Sequence, residues 1–333
     1  MKKASTVLLF GLLLLAAAWP AGAATIFVPG SYNTIQKGIN AARSGDIVQV
    51  GPGTYSENIS LKAGVQLIGA GPEFTTIDGK GSYITVFVPY NATSSTRLEG
   101  FTVRNGSYQK GGGIYFQSGS TAVISNCHIR QNRASIRGGG IFVDNMASPT
   151  IEFCRITENT AHEGAGIYAQ TSTPVIRWNV ICGNQATSFG GGIHLAFCTG
   201  AVVEQNTIAY NSCAPGYGSG ISLAGTSPAL RNNIVAFNTG GPGVWAQNCT
   251  PSDLCSIVWG NPAGNYHGVV QGQGSVSADP LFCSPEGCDD LTVSGSSPAV
   301  SDPACGLIGA LSIGCGETAT ENTSWGAVKS MYR

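Results

Sequence analysis

Between Gly111 and Asn261 the apolar positions fall into three short runs that recur along the chain. Three residues before Asn132, Asn159, Asn184, Asn211, Asn238 and Asn261 stand Ile129, Ile156, Ile181, Ile208, Val235 and Val258. Eight residues before the first five of these asparagines stand Ile124, Ile151, Ile176, Val203 and Leu230. A third column follows the glycines: Ile114, Ile141, Ile167, Ile193, Ile221 and Val244. The runs are short, β-branched and bounded by Gly, Ser, Pro and Asn, so they predict strands and turns and leave no room for a helix. The asparagines are 27, 25, 27, 27 and 23 residues apart, a period that marks a solenoid.

Three strands per repeat, stacked in register, predict an all-β fold: a single-stranded parallel β-helix with three sheets per rung. One rung cannot bury its inward residues, so stacking supplies the core. Ile141, Ile167, Ile193, Ile151, Ile176, Ile156 and Ile181 are expected inside. In the strand after the glycines, alternation puts Phe116, Val143, Ala169, Leu195, Leu223 and Ala246 inside as well. It puts two columns outside. One is aromatic: Tyr115, Phe142, Tyr168, His194, Ser222 and Trp245. The other is mostly polar: Gln117, Asp144, Gln170, Ala196, Ala224 and Gln247. Neighbouring rungs are expected about 4.8 Å apart.

Other columns read as structure. Ser125, Glu152, Arg177, Glu204 and Arg231 share one slot, and the last four alternate in sign, which predicts a cross-rung charge ladder. Cys127, Cys154, Asn179, Asn206 and Asn233 share a turn slot. The asparagines there are placed to hydrogen-bond along the axis, and the two cysteines are expected as buried thiols because stacked Cβ vectors do not suit a disulfide.

Residues 1–23 read as a secretory signal peptide: Lys2 and Lys3, an apolar run from Val7 to Ala18, then Ala21-Gly22-Ala23. The organisation that follows is an N-terminal cap over 24–60, the β-helix over 61–276, a Cys-rich C-terminal cap over 277–315 and a polar tail over 316–333. Ile35, Ile39 and Ala42 lie on one face of a short capping helix, with Asn33 as its expected N-cap. The expected location is outside the cytoplasm: secreted, at the cell surface or in the periplasm. Eleven cysteines suit an oxidising compartment. Local pairs Cys249–Cys255, Cys283–Cys288 and Cys305–Cys315 are expected in the C-terminal cap. Charged residues make up 11% of the chain and the net charge is −1, which offers no basic face to nucleic acid. No membrane span is expected after the signal peptide, and the oligomeric state is left open.

The order VPGSYNTIQKGINAARSGDIVQVGPGTYSEN from Val28, followed by LIG at Leu67, resembles the N-terminal cap of right-handed parallel β-helix proteins of the pectate-lyase-like superfamily. LEGFTVRNG at 98–106 resembles their opening rung, and ADPLFC at 278–283 with CGLIGALSIGC at 305–315 resembles their closing cap. The repeats are similar to those of uncharacterised secreted bacterial proteins of that group. The resemblance spans about residues 25–315. With the general preference for right-handed crossovers, it implies a right-handed winding.

Enzymes of that superfamily carry recognisable sets, and this sequence departs from them. A calcium-dependent lyase site needs several carboxylates, yet the outward columns after the glycines hold one, Asp144. The repeats show no paired aspartates for glycosidase acid–base work. Neither the QDT-like nor the DFIFG-like context of pectin methylesterases occurs. The string nearest the DPHD motif of the epimerases, Ala278-Asp279-Pro280-Leu281, lacks its His and second Asp. No two of the four histidines share a metal-ligand spacing such as HxxxH. No cofactor and no metal site are expected. If there is catalysis, its candidates are Asp144, His162, Glu163 and His194, in a polysaccharide lyase or glycoside hydrolase.

The leading expectation is a protein that binds polysaccharide or a cell-surface glycan along the face of the strands after the glycines. The expected contacts are Tyr115, Gln117, Phe142, Asp144, Tyr168, Gln170, His194, Trp245 and Gln247. Sugar rings have apolar faces for aromatics and hydroxyls for amides and carboxylates. On pectin-active relatives this sheet lines the substrate cleft, so the resemblance implies a groove here. The alternatives are a polysaccharide-active enzyme with an unfamiliar site and a purely structural cell-surface solenoid, in which the rings stack on one another between rungs.

Overall fold

Three parallel sheets run the length of the molecule, with nine, eleven and nine strands. The computed structural model describes residues 22–316 except 285, 302 and 303. Most of the expected signal peptide and nearly all of the expected tail lie outside the described residues. Sheet one holds the strands after the glycines, such as Ile114–Phe116, Ile141–Val143 and Ile167–Gln170. Sheet two includes Thr150–Glu152 and Val175–Arg177, and sheet three Arg155–Thr157 and Val180–Cys182. The registers are those of the repeat: Ile114, Ile141, Ile167, Ile193, Ile221 and Val244 pair in succession. All seven isoleucines expected inside are fully buried.

Two corners of each rung share one device. A residue with positive φ is followed by an inward-turning side chain. Between sheets two and three the positive-φ residues are Asn126, Phe153, Trp178, Gln205, Asn232 and Cys255; after sheet three they include Gln131, Glu158, Tyr210 and Phe237. Such a backbone costs a non-glycine residue roughly 1–2 kcal/mol. Hydrogen bonds along the axis offset that cost. At the second corner, Asn184 Nδ2 donates to Asn211 Oδ1 at 2.9 Å and to Ile156 O at 2.8 Å, and its Oδ1 accepts from Asn159 Nδ2 at 2.9 Å. The pattern runs from Asn132 to Asn261. At the first corner Asn179, Asn206 and Asn233 form the expected ladder, while Cys127 and Cys154 continue the column as buried free thiols. Aromatic corner residues also stack outside: Phe153 on Trp178 at 4.9 Å, and Tyr210 on Phe237 at 5.3 Å.

The glycine runs before sheet one are a seam where backbone meets backbone. A Cβ on Gly140 would lie 2.6 Å from the carbonyl oxygen of Gly166, and Gly166 stands in the same relation to Gly192 at 2.5 Å. No larger residue fits without opening the rung.

At the N-terminus, helix Ile35–Ala41 closes the stack with Ile35 and Ile39 buried. Its N-cap is Thr34, whose side chain accepts from Lys37 N. Asn33, the expected cap, lies one residue early and instead accepts from Lys37 Nζ. A second cap comes from afar: the Glu57 carboxylate accepts from the backbone of Ile35 and Gln36 at 2.9 and 3.1 Å. Of the three contacts of the expected charge ladder, one forms. Glu152 takes Arg177 at 2.9 Å and Arg97 at 3.6 Å. Among the described residues, Glu204 and Arg231 form no ion pair. Arg177 is already engaged by Glu152 and lies over the Trp178 ring at 4.4 Å, and Arg231 is exposed, where pairing gains little.

The C-terminal segment runs back along the outer face of sheet three as a strap. Phe282, Leu291, Val293, Ile308 and Ala310 pack on Val180, Ala209, Ile234, Ala236 and Ile257 of that sheet. This path overturns the expected disulfides. The bonds are Cys182–Cys288, Cys255–Cys305 and Cys283–Cys315, and Cys249 is free. Cysteines close in sequence diverge because each strap segment lies against the solenoid or another part of the strap, not against its sequence neighbour.

Candidate functional site

The aromatic column of sheet one does stand on the outer side of the sheet, but it is not open. Phe142, Tyr168, His194 and Trp245 are buried, and Tyr115 is half-buried. Two causes combine. The rings stack along the axis: Phe87–Tyr115 at 5.7 Å, Tyr115–Phe142 at 5.1 Å, Phe142–Tyr168 at 5.7 Å and Tyr168–His194 at 5.1 Å. The chain between sheets three and one then roofs them. That stretch forms a short fourth sheet, Ser107–Lys110, Arg133–Arg137, Thr160–Ala161 and Gln185–Ala186. From its ends Lys110 Nζ lies 5.3 Å over Phe142, and Arg137 lies 5.0 Å over Tyr168. Where Ser222 interrupts the column, Phe189 fills in, 5.4 Å from His194 and 6.0 Å from Trp245. The expectation of an accessible aromatic stripe is therefore corrected: sequence alternation located the face but not the roof above it.

Burial shifts the titration of the column. Tyr168 is pushed up to about 12 chiefly by burial. His194, whose Nδ1 is 3.0 Å from Ser222 Oγ, is pushed down to about 3 by burial and then by Arg137. It is a neutral, enclosed ring whose side-chain hydrogen bond goes to Ser222 and not to another candidate catalytic residue.

The polar column beside it is accessible. Gln117, Asp144 and Gln170 are half-buried, and Gln247 is exposed. Around Asp144 a network crosses neighbouring rungs. Tyr115 Oη donates to Asp144 Oδ2 at 2.9 Å, and Gln170 Nε2 donates to Asn145 Oδ1 at 3.1 Å and, more weakly, to Asp144 Oδ1 at 3.5 Å. Arg137 donates to Gln170 Oε1 and to Glu163 Oε2, both at 2.9 Å. His162 Nδ1 lies 3.8 Å from Glu163 Oε1. The fold thus joins Asp144, Glu163 and His162 through Gln170 and Arg137. Burial and the Asp144 carboxylate together hold the Tyr115 hydroxyl far above its usual range. Sequence reasoning missed Arg137, the centre of this network, because it precedes the glycines and lies outside the alternating strand. Next to the network, a hollow of about 410 Å³ on the fourth sheet is lined by Arg133, Ser135, Thr160, His162, Gln185 and Thr187. Among the described residues, no group of three or more His, Cys, Asp or Glu is placed to hold a metal ion, and no helix is long and apolar enough to cross a membrane.

Three in-register parallel sheets, corner ladders and a capping helix define a parallel β-helix repeat protein. Residues 90–239 match the family model described as a right handed beta helix region, and with the solenoid this fits the pectate-lyase-like type. No curated protein matches the chain.

Proposed function

We propose that this protein binds an extended polysaccharide along the outer face of sheet one, without turning it over. The reading is supported by the accessible polar row, repeated at the rung spacing: Gln117, Asp144, Gln170 and, three rungs further, Gln247. Amides and a carboxylate on a rigid scaffold suit sugar hydroxyls. A long chain laid along the axis meets them in succession. The exposed Tyr90 and Phe197, which follow the sheet-one strands at its edge, offer apolar surface beside the row. The buried rings fix the face and do not touch the ligand. A signal peptide over 1–23 and export to the cell surface or periplasm belong to the same proposal. So does the division into caps and a solenoid; the helix at the N-terminal end supports the first cap, whereas the C-terminal segment lies along sheet three.

One observation favours a polysaccharide-active enzyme as the second reading: Arg137 stands beside Glu163 and, through Gln170, is joined to Asp144 and Tyr115. A screen of insoluble and soluble polysaccharides, with retention and product release measured on the same samples, separates the two. Retention without new reducing or unsaturated ends is expected. In the Gln117→Ala/Gln247→Ala variant, whose side chains stand outside the Asp144 network, retention should fall about tenfold with the melting transition nearly unchanged. Product release that disappears in the Glu163→Gln variant decides for the enzyme, and neither retention nor product release with any polysaccharide overturns both readings.

A further inference from the structure

The strap does not lie flat on sheet three throughout. Near its start, a cleft remains between residues 289–292 and the N-terminal loop 70–74. It holds about 580 Å³ and adjoins a second hollow of about 250 Å³ lined by Arg130 and Phe153. Both parts share His128 and Arg155, which are register partners on neighbouring strands of sheet three, and Glu73 of the loop. Volumes of this order suit a small molecule.

The lining carries both signs of charge. Arg155 and Glu73 line both parts, Arg130 lines the smaller one, and Asp289 and Asp290 line the larger. Arg155 donates to the Cys288 carbonyl at 2.9 Å, and Arg130 to Gln131 Oε1 at 3.2 Å. Among the described residues, no carboxylate comes within 4.0 Å of either guanidinium. Burial lowers the pKa of the Arg155 guanidinium, and Asp289, Asp290 and Glu73 oppose that through space. His128 registers the resulting field. Burial, then Arg155, then Arg130, push its imidazole down to about 4, while its Nε2 stays 2.8 Å from Thr157 Oγ1. Two half-buried guanidiniums without a carboxylate partner, lining a cleft that a small molecule fits, are free to take an anion. The acids of the lining are acceptors for hydroxyl groups.

We propose that this cleft binds a small polyhydroxylated carboxylate, of the size of one sugar acid. Its carboxylate sits on Arg130 and Arg155, and its hydroxyls face Glu73, Asp289 and Asp290. The site lies on sheet three, not on the face proposed for polysaccharide, and stands or falls independently of it. The bound carboxylate screens His128 from the arginines, so the imidazole takes up a proton more readily.

The full chain is titrated with D-glucuronate, D-glucose and sulfate by calorimetry, while the His128 imidazole is followed by NMR across pH. Glucuronate is expected to bind and to move the His128 midpoint upward from about 4; glucose is expected to do neither. Arg155→Gln and Arg130→Gln should each weaken glucuronate about tenfold or more. Arg130→Gln leaves the Arg155 contact to the strap intact, so it decides the matter if Arg155→Gln fails to fold. The proposal is overturned by an unmoved His128 at saturating glucuronate, by undiminished binding in Arg130→Gln, by equal binding of glucose, or by sulfate binding as tightly as glucuronate.

Discussion

Each closing asparagine does the work of several residues. Asn184 contributes its amide to a neighbour's oxygen and a core strand's carbonyl, and its own oxygen holds both the backbone and the side chain of Asn159. Replacing it with Ala leaves buried donors and acceptors without partners. Stability should fall by roughly 2–4 kcal/mol, read as a lower urea midpoint with an unchanged slope. The histidines give a second expectation. His128 and His194 ionise near 6.5 in the unfolded chain, but only near 4 and 3 when folded. As pH falls below 6.5 the unfolded chain binds protons that the folded chain refuses. Stability is therefore full above that value and declines toward the folded pKa values. Urea midpoints should drop between about pH 7 and pH 5, and a His128→Gln/His194→Gln variant should be flatter in that window. Period and alternation make the inward isoleucines legible from sequence. The ladder of closing asparagines is visible there as a repeat but not as a bond network, since the inward turn depends on the positive φ of the residue before it.

At the scale of elements, the strap is the part least legible in the sequence. Spacing pairs its cysteines with near neighbours, whereas the chain bonds Cys182 to Cys288 across 106 residues. A signal is present. The outward positions that open the sheet-three strands run His128, Arg155, Val180, Thr207, Ile234 and Ile257, and turn largely apolar where the strap lies. An apolar outward column on a solenoid must be covered, and Cys182 sits on that stretch. Similarly, the roof over the aromatic column cannot be read from alternation, because Arg137 and Phe189 belong to connecting chain with no period-two pattern. A bond closing about 100 residues contributes roughly 4–5 kcal/mol in the chain-entropy account. Cys182→Ala/Cys288→Ala should lose much of that. The strap amides around 288–293 should exchange with solvent faster than those of sheet one.

The molecule as a whole is close to one-dimensional, with each rung resting on the two beside it. Its length, its three sheets and its core are legible because one rule repeats. Its two ends and the surface over sheet one are not, because nothing there repeats. Five cysteines are free; Cys127, Cys154, Cys198 and Cys213 are buried, and Cys249 is partly exposed. Native protein treated with a small alkylating reagent should be labelled at Cys249 first. The other four should react only on unfolding, as peptide mass mapping would show.

The span of the Cys182–Cys288 bond also has a meaning in time. Cys288 leaves the ribosome 106 residues after its partner, and three of the five spare thiols lie before or just after Cys182 in the chain. If rungs stack in the order they emerge, Cys127, Cys154 and Cys198 are sealed inside before Cys288 arrives. Wrong partners are then out of reach, while Cys182 waits on the outer face of sheet three. The stacking order itself becomes the proofreader of the bridges, and anything that delays stacking should appear first as scrambled disulfides.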